Sequence, residues 1–215
     1  MNKLIRLACL TAAAASTPAL AQDPQGTFFG PRAELRIGAD VRTVGVSIDD
    51  GVDQLYGEDD QTGITFAGEL GYDLRAPGNF VVGLYGGLEF SSVARCSEVF
   101  GGDEACIEAD RTITAGARAG FQPSSNILLY VKGGYSRTRL TLTYDDGLAN
   151  QINEDEDVGG FHLGTGLEVG LGSRIYTRLD YIYTRYDDDR FVAEGTEVVT
   201  EMKRHQLLLG VGIRF

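Results

Sequence analysis

The stretch Lys203-Arg204-His205-Gln206-Leu207-Leu208-Leu209-Gly210-Val211-Gly212-Ile213-Arg214-Phe215 decides the fold. Leu207, Leu209, Val211, Ile213 and Phe215 alternate with Gln206, Leu208, Gly210, Gly212 and Arg214. A period of two gives a strand with one apolar face and one small or polar face. A soluble antiparallel strand alternates as well. What separates this one is that the last residue of the sequence is an aromatic on the apolar face. A frayed end in water avoids exposing such a residue, whereas a lipid-facing strand ending at a membrane interface has a use for it.

Seven further segments show the same alternation. They run over residues 28–42, 63–74, 80–91, 111–121, 127–142, 158–171 and 175–186. In the first, Phe29, Leu35, Ile37 and Val41 oppose Arg32, Glu34, Arg36, Asp40 and Arg42. In the sixth, Phe161, Leu163, Leu167 and Val169 oppose His162, Gly164, Gly166 and Glu168. The connections alternate too. Long polar loops are expected at 43–62, 92–110, 143–157 and 187–201, with short Pro/Gly turns at 75–79, 122–126 and 172–174. Eight strands in this rhythm predict an all-β fold, an eight-stranded antiparallel transmembrane up-and-down β-barrel. An even strand number places both termini on the periplasmic side, with the long loops extracellular.

The N-terminus carries its own address. Lys3 and Arg6 precede the apolar run Leu7–Ala15, and Ala19-Leu20-Ala21 is a small-x-small cleavage site. Residues 1–21 therefore read as a cleaved signal peptide, leaving residues 22–215 as the barrel domain. Losing Lys3 and Arg6 takes the formal charge from −12 to −14. Such an acidic chain is a poor ligand for nucleic acid. Export puts Cys96 and Cys106 in an oxidising compartment, so a disulfide closing an eleven-residue segment of the second loop is expected. A metal pair is the alternative, but no His lies nearby and no metal or cofactor is expected. The pairs Asp49-Asp50 and Asp145-Asp146 lack EF-hand spacing.

On this register the outward aromatics form two girdles. Tyr72, Phe80, Phe121 and Phe215 lie at the turn end; Phe66, Phe90, Phe161, Tyr181 and Tyr183 lie at the loop end. The inward positions collect Glu34, Arg36, Asp40, Glu69, Asp73, Glu89, Arg118, Lys132, His162, Glu168, Arg178, Asp180, Arg204 and Arg214. An eight-stranded barrel is just wide enough for side chains. Charges there must pair, so a filled lumen without a wide open pore is predicted.

The signal peptide, the eight strands, the Val81-Val82-Gly83-Leu84-Tyr85-Gly86-Gly87 type of Tyr/Gly-rich strand, and the ending His205–Phe215 together resemble the OmpA/OmpX/opacity-type outer-membrane β-barrels. The resemblance covers the mature chain. It implies residence in the Gram-negative outer membrane among its lipids and lipopolysaccharide. It also implies insertion by the outer-membrane assembly machinery, with Leu209, Val211, Ile213 and Phe215 as the C-terminal signal, and a structural or surface-antigen role of porin-family type. An extracellular ligand engaging the acidic loops is a further expectation, and a narrow porin for ions or small solutes is the alternative to the filled, structural barrel. Some barrels of this size modify lipid A, and the deacylases among them pair a His with a Ser two residues later. Here His162 is followed by Leu163-Gly164 and His205 by Gln206-Leu207, so neither fits and no enzyme is expected.

Overall fold

The computed structural model describes residues 28–49, 54–92, 94–98, 104–145, 151–193 and 196–215. The expected signal peptide lies outside the described residues. Among the described residues ten strands form one sheet: β1 (Gly30–Asp49), β2 (Gln54–Ala76), β3 (Phe80–Ser91), β4 (Ala94–Glu98), β5 (Glu104–Ser124), β6 (Ile127–Asp145), β7 (Gln151–Gly170), β8 (Ile175–Tyr186), β9 (Asp189–Ala193) and β10 (Thr196–Arg214). Eight of them, β1, β2, β3, β5, β6, β7, β8 and β10, make the closed antiparallel barrel, sealed by β1 against β10. The seam runs from Arg32↔Arg214 to Asp49↔Glu197. The short strands β4 and β9 hang on β5 and β10 above it.

The strands β3 and β8 begin and end where the sequence places them, but the others are longer. Much of the segments expected as loops is strand instead, because the ladders continue above the apolar band. Val44, Val46 and Ile48 already alternate within the first of these segments. A twenty-residue strand is about 66 Å long and, at the usual tilt of about 40°, rises roughly 50 Å; the lipid band needs only about 25 Å. The surplus stands on the loop side. There β3 leaves β2 after Ser91↔Thr65, and β8 leaves β7 after Tyr186↔Gly160. Among the described residues, the barrel continues upward as two four-stranded leaves, β9-β10-β1-β2 and β4-β5-β6-β7.

Alternation sets the two faces of the wall. Leu35, Leu70, Leu84, Leu163, Leu179 and Leu209 point out and are exposed, with the aromatics Tyr72, Phe80, Phe121 and Phe215 at the turn end. Phe66, Phe90, Phe161 and Tyr181 are exposed toward the loop end, and Tyr183 is half-buried. Above Ile64 the outward positions of β2 turn polar at Thr62, Asp60 and Glu58. The apolar stripe is thus a belt with an upper limit.

Not all inward positions are polar. Val81, Leu128, Ile182 and Leu208 are buried in the bore. Leu208 shares the inward face with Gln206 and Arg214, as the alternation places it, and fills the interior there as an apolar spacer. At the turn end Phe28, wholly buried, packs with Val81, Leu128 and Tyr130, and Phe29 leans on the cluster. Phe28 precedes β1, so the residues just ahead of the first strand add an apolar cluster at the turn end of the bore.

Candidate functional site

The bore is where the chemistry of this chain is concentrated. All fourteen inward residues named from the sequence are buried. Arg32 and Arg42 join them; both stand at inward positions of β1, so the alternation alone could have found them.

Three layers of charge stack from the turn end upward. In the lowest, Arg118 and Arg214 each bridge the carboxylates of Asp73 and Glu168. Arg118 lies 2.6 Å from Asp73 and 2.5 Å from Glu168, and Arg214 2.5 Å and 2.6 Å from the same two groups. The Arg214 guanidinium also covers the ring of Tyr176 at 4.7 Å and that of Phe28 at 5.4 Å. The charged layer therefore rests on the apolar stopper.

The middle layer holds Glu34, Glu69 and Asp180 among Arg32, Arg36, Lys132 and Arg178. Glu69 takes Arg32 at 2.9 Å, Arg36 at 3.1 Å and Lys132 at 2.6 Å. Arg178 pairs with Asp180 at 2.8 Å and with Glu34. The Tyr130 hydroxyl donates to Asp180, and its ring lies between the guanidinium groups of Arg118 and Arg178 at 4.9 and 5.1 Å. Glycines give these long side chains room. A Cβ on Gly71 would come within 2.6 Å of the Arg32 guanidinium, and one on Gly210 within 2.7 Å of Arg36 Cγ.

In the upper layer Arg204 holds Asp40 through a two-nitrogen fork, Nε and Nη2 both at 2.8 Å, and reaches Glu89 at 3.0 Å. Fork pairing of this kind is the strongest geometry open to arginine. Thr65 and Ser91 donate to Asp40 as well, and Gln206 donates to Glu89.

His162 lies beside the layers. Its Nδ1 is 2.8 Å from the Ser136 hydroxyl and its Nε2 2.5 Å from that of Tyr85. A cavity of about 10 Å³ adjoins it, bounded by Glu89, Thr114, Lys132 and Gln206 among others; that is about the space of one water. His205 faces outward between Tyr181, whose hydroxyl is 2.8 Å from its Nδ1, and the ring of Tyr183 at 4.9 Å. The two histidines are thus on opposite sides of the wall and cannot act together. Among the described residues no group of three or more His, Cys, Asp or Glu side chains is disposed to hold a metal ion.

Cys96 and Cys106 are direct cross-strand partners of β4 and β5. Leu209, Val211, Ile213 and Phe215 lie in a row on the outer face of β10.

A closed antiparallel barrel with an apolar belt, aromatic girdles and a charged bore defines an outer-membrane β-barrel protein. The chain belongs to the outer membrane protein beta-barrel domain family, whose model matches residues 7–215. Its place is the outer membrane. It is 27% identical over 99 residues to the 25 kDa outer-membrane immunogenic protein of Brucella abortus biovar 1 (strain 9-941), a match covering 46% of this chain and 44% of that protein. Among solved structures, the outer membrane protease OmpT from Escherichia coli aligns with a TM-score of 0.52 at 10% identity, covering 86% of this chain and 97% of that one. Neisserial surface protein A (NspA) aligns with a TM-score of 0.47 at 13% identity, covering 83% and 97%.

Proposed function

We propose that the protein is a structural, surface-exposed barrel that does not conduct. The observation that carries this reading is the bore itself. Seven buried carboxylates and eight buried cations fill it among the described residues, and Phe28, Val81 and Leu128 close its lower end. Breaking a buried ion pair costs about 3–5 kcal/mol, so a conducting path through several such pairs is opposed many times over. The alternative of a narrow porin for ions or small solutes would require these layers to part. Planar-bilayer recording decides between the two. Silence or rare brief events fits a filled bore; large, steady openings defeat it.

The loop-end leaves are the part offered to the exterior. They carry the exposed Glu58 and Asp60 of β2, and the acidic sequence of the segments expected as loops suits a cationic extracellular ligand or lipopolysaccharide bridged by divalent cations. The relative in Brucella abortus is an outer-membrane immunogenic protein by name; a surface-antigen role for this chain is the corresponding proposal. The outward row of β10 is proposed to be read by the assembly machinery. No catalytic role is proposed: His162 is held by Tyr85 and Ser136 inside the bore, and His205 is an interfacial side chain among tyrosines.

A further inference from the structure

The charges of the bore pair off in a way that singles out one residue. Seven of the eight buried cations have a carboxylate oxygen within 3.1 Å. Arg42 does not. Among the described residues its nearest carboxylate oxygen is Asp40 Oδ2 at 3.5 Å. That oxygen already accepts from Arg204 at 2.8 Å, Thr65 at 2.9 Å and Ser91 at 2.7 Å, so it has no capacity left for a fourth donor.

Arg42 is only 3% exposed, and its Nε and Nη2 make no hydrogen bond within the described residues. These two nitrogens form one edge of the guanidinium, the edge that receives two oxygens of a carboxylate, phosphate or sulfate side by side. The residues directly beside it on the same face of the sheet are Arg204 and Gln61. Arg204 adds like charge and is committed to Asp40 and Glu89; Gln61 is neutral. Without Arg42 the fully buried groups among the described residues number seven cations against seven carboxylates. Arg42 is therefore the surplus charge, buried at the loop end of the β1 row, above the last complete layer.

We propose that Arg42 anchors an oxyanion site at the loop-end mouth of the bore. The ligand is one oxyanion group, carried by a free ion or a small acidic solute, held side-on by Nε and Nη2. It enters from the loop side, because the opposite end is stopped by Phe28. The charge deficit also explains the sign: a cation has no place beside Arg42 and Arg204.

The test is equilibrium binding of inorganic phosphate to the folded full-length barrel in detergent, at constant ionic strength, with sulfate and acetate as competitors. Saturable uptake of one phosphate per barrel is expected. Arg42→Met and Arg42→Gln should weaken it by about tenfold or more, and Arg42→Lys, which keeps charge but not the two-nitrogen edge, by less. Arg137→Gln, on the exposed outer face, should leave it unchanged. Gel mobility with and without heating verifies that each variant is folded. The proposal is overturned by a folded wild type that binds none of the three anions saturably, or by an Arg42→Met barrel that binds like wild type. Should Arg42→Met not fold, wild-type affinity in Arg42→Lys overturns it instead.

Discussion

Arg118 and Arg214 stand on β5 and β10, strands that never pair, yet they grip the same two carboxylates, Asp73 and Glu168. The four side chains cross-brace β2, β5, β7 and β10 through the inside of the wall. Removing one corner leaves a buried charge without its counterpart. Glu168→Gln should therefore cost about 3–5 kcal/mol in urea unfolding from lipid vesicles. The double variant Arg118→Met/Glu168→Leu should cost clearly less than the sum of its parts.

The stopper at the turn end is a packing effect and should behave as one. Phe28→Ala leaves a cavity under Val81 and Leu128 and should lower stability by about 3–5 kcal/mol. Phe28→Leu, which refills most of that space, should recover most of the loss. Thermal shift of the heat-modifiable gel band reads both.

A lipid belt distinguishes positions that are equally exposed in the bare protein. Leu84 is 68% exposed within the belt and Leu55 71% exposed above it. Leu84→Arg should cost about 2–4 kcal/mol in vesicles. Leu55→Arg should stay within about 0.5 kcal/mol. Equal effects would contradict the height assigned to the belt.

The register that sets Cys96 opposite Cys106 makes a cross-strand bridge the expected oxidised form. A chain of residues 22–215 folded under air should show no free thiol by mass spectrometry after alkylation. Reduction should remove about 2–3 kcal/mol of restraint from that loop on the chain-entropy model, without opening the barrel.

Above the belt, Asp157 accepts a hydrogen bond from Arg139 Nε at 3.3 Å and lies 3.1 Å from Arg137. The Arg139 hydrogen bond, aided by Arg137, holds its carboxyl below the usual carboxylate range. A depressed folded-state pKa contributes stability above the unfolded value and loses it as pH falls through the folded one. Carbon NMR titration should place Asp157 below a free aspartate, and Arg139→Gln should move it up.

Most of the barrel was legible because alternation is a period-two signal that the wall enforces at every residue. The inward set from Glu34 to Arg214 follows from parity alone, and Arg32 and Arg42 share that parity. What parity could not reveal is which carboxylate meets which cation, since Arg178 on β8 reaches past β10 to Glu34 on β1. Nor could it place Phe28. That residue precedes the first strand, so its burial depends on the shape of the far end of the barrel rather than on any local pattern. The long strands were hidden for a related reason. Acidic residues from Glu58 to Asp60 and from Glu154 to Asp157 read as solvated loop, while the ladder they belong to is supplied by β1 and β6.

The stopper has a consequence for anything that enters from outside. On the proposed non-conducting reading, with Phe28 seated beneath Arg214, the interior has one mouth, at the loop end. A molecule admitted between the two leaves leaves by the route it took in. The interior is thus a cup, fitted for holding rather than for passage. Under the proposed function its contents follow equilibrium with the exterior medium and not a gradient across the membrane.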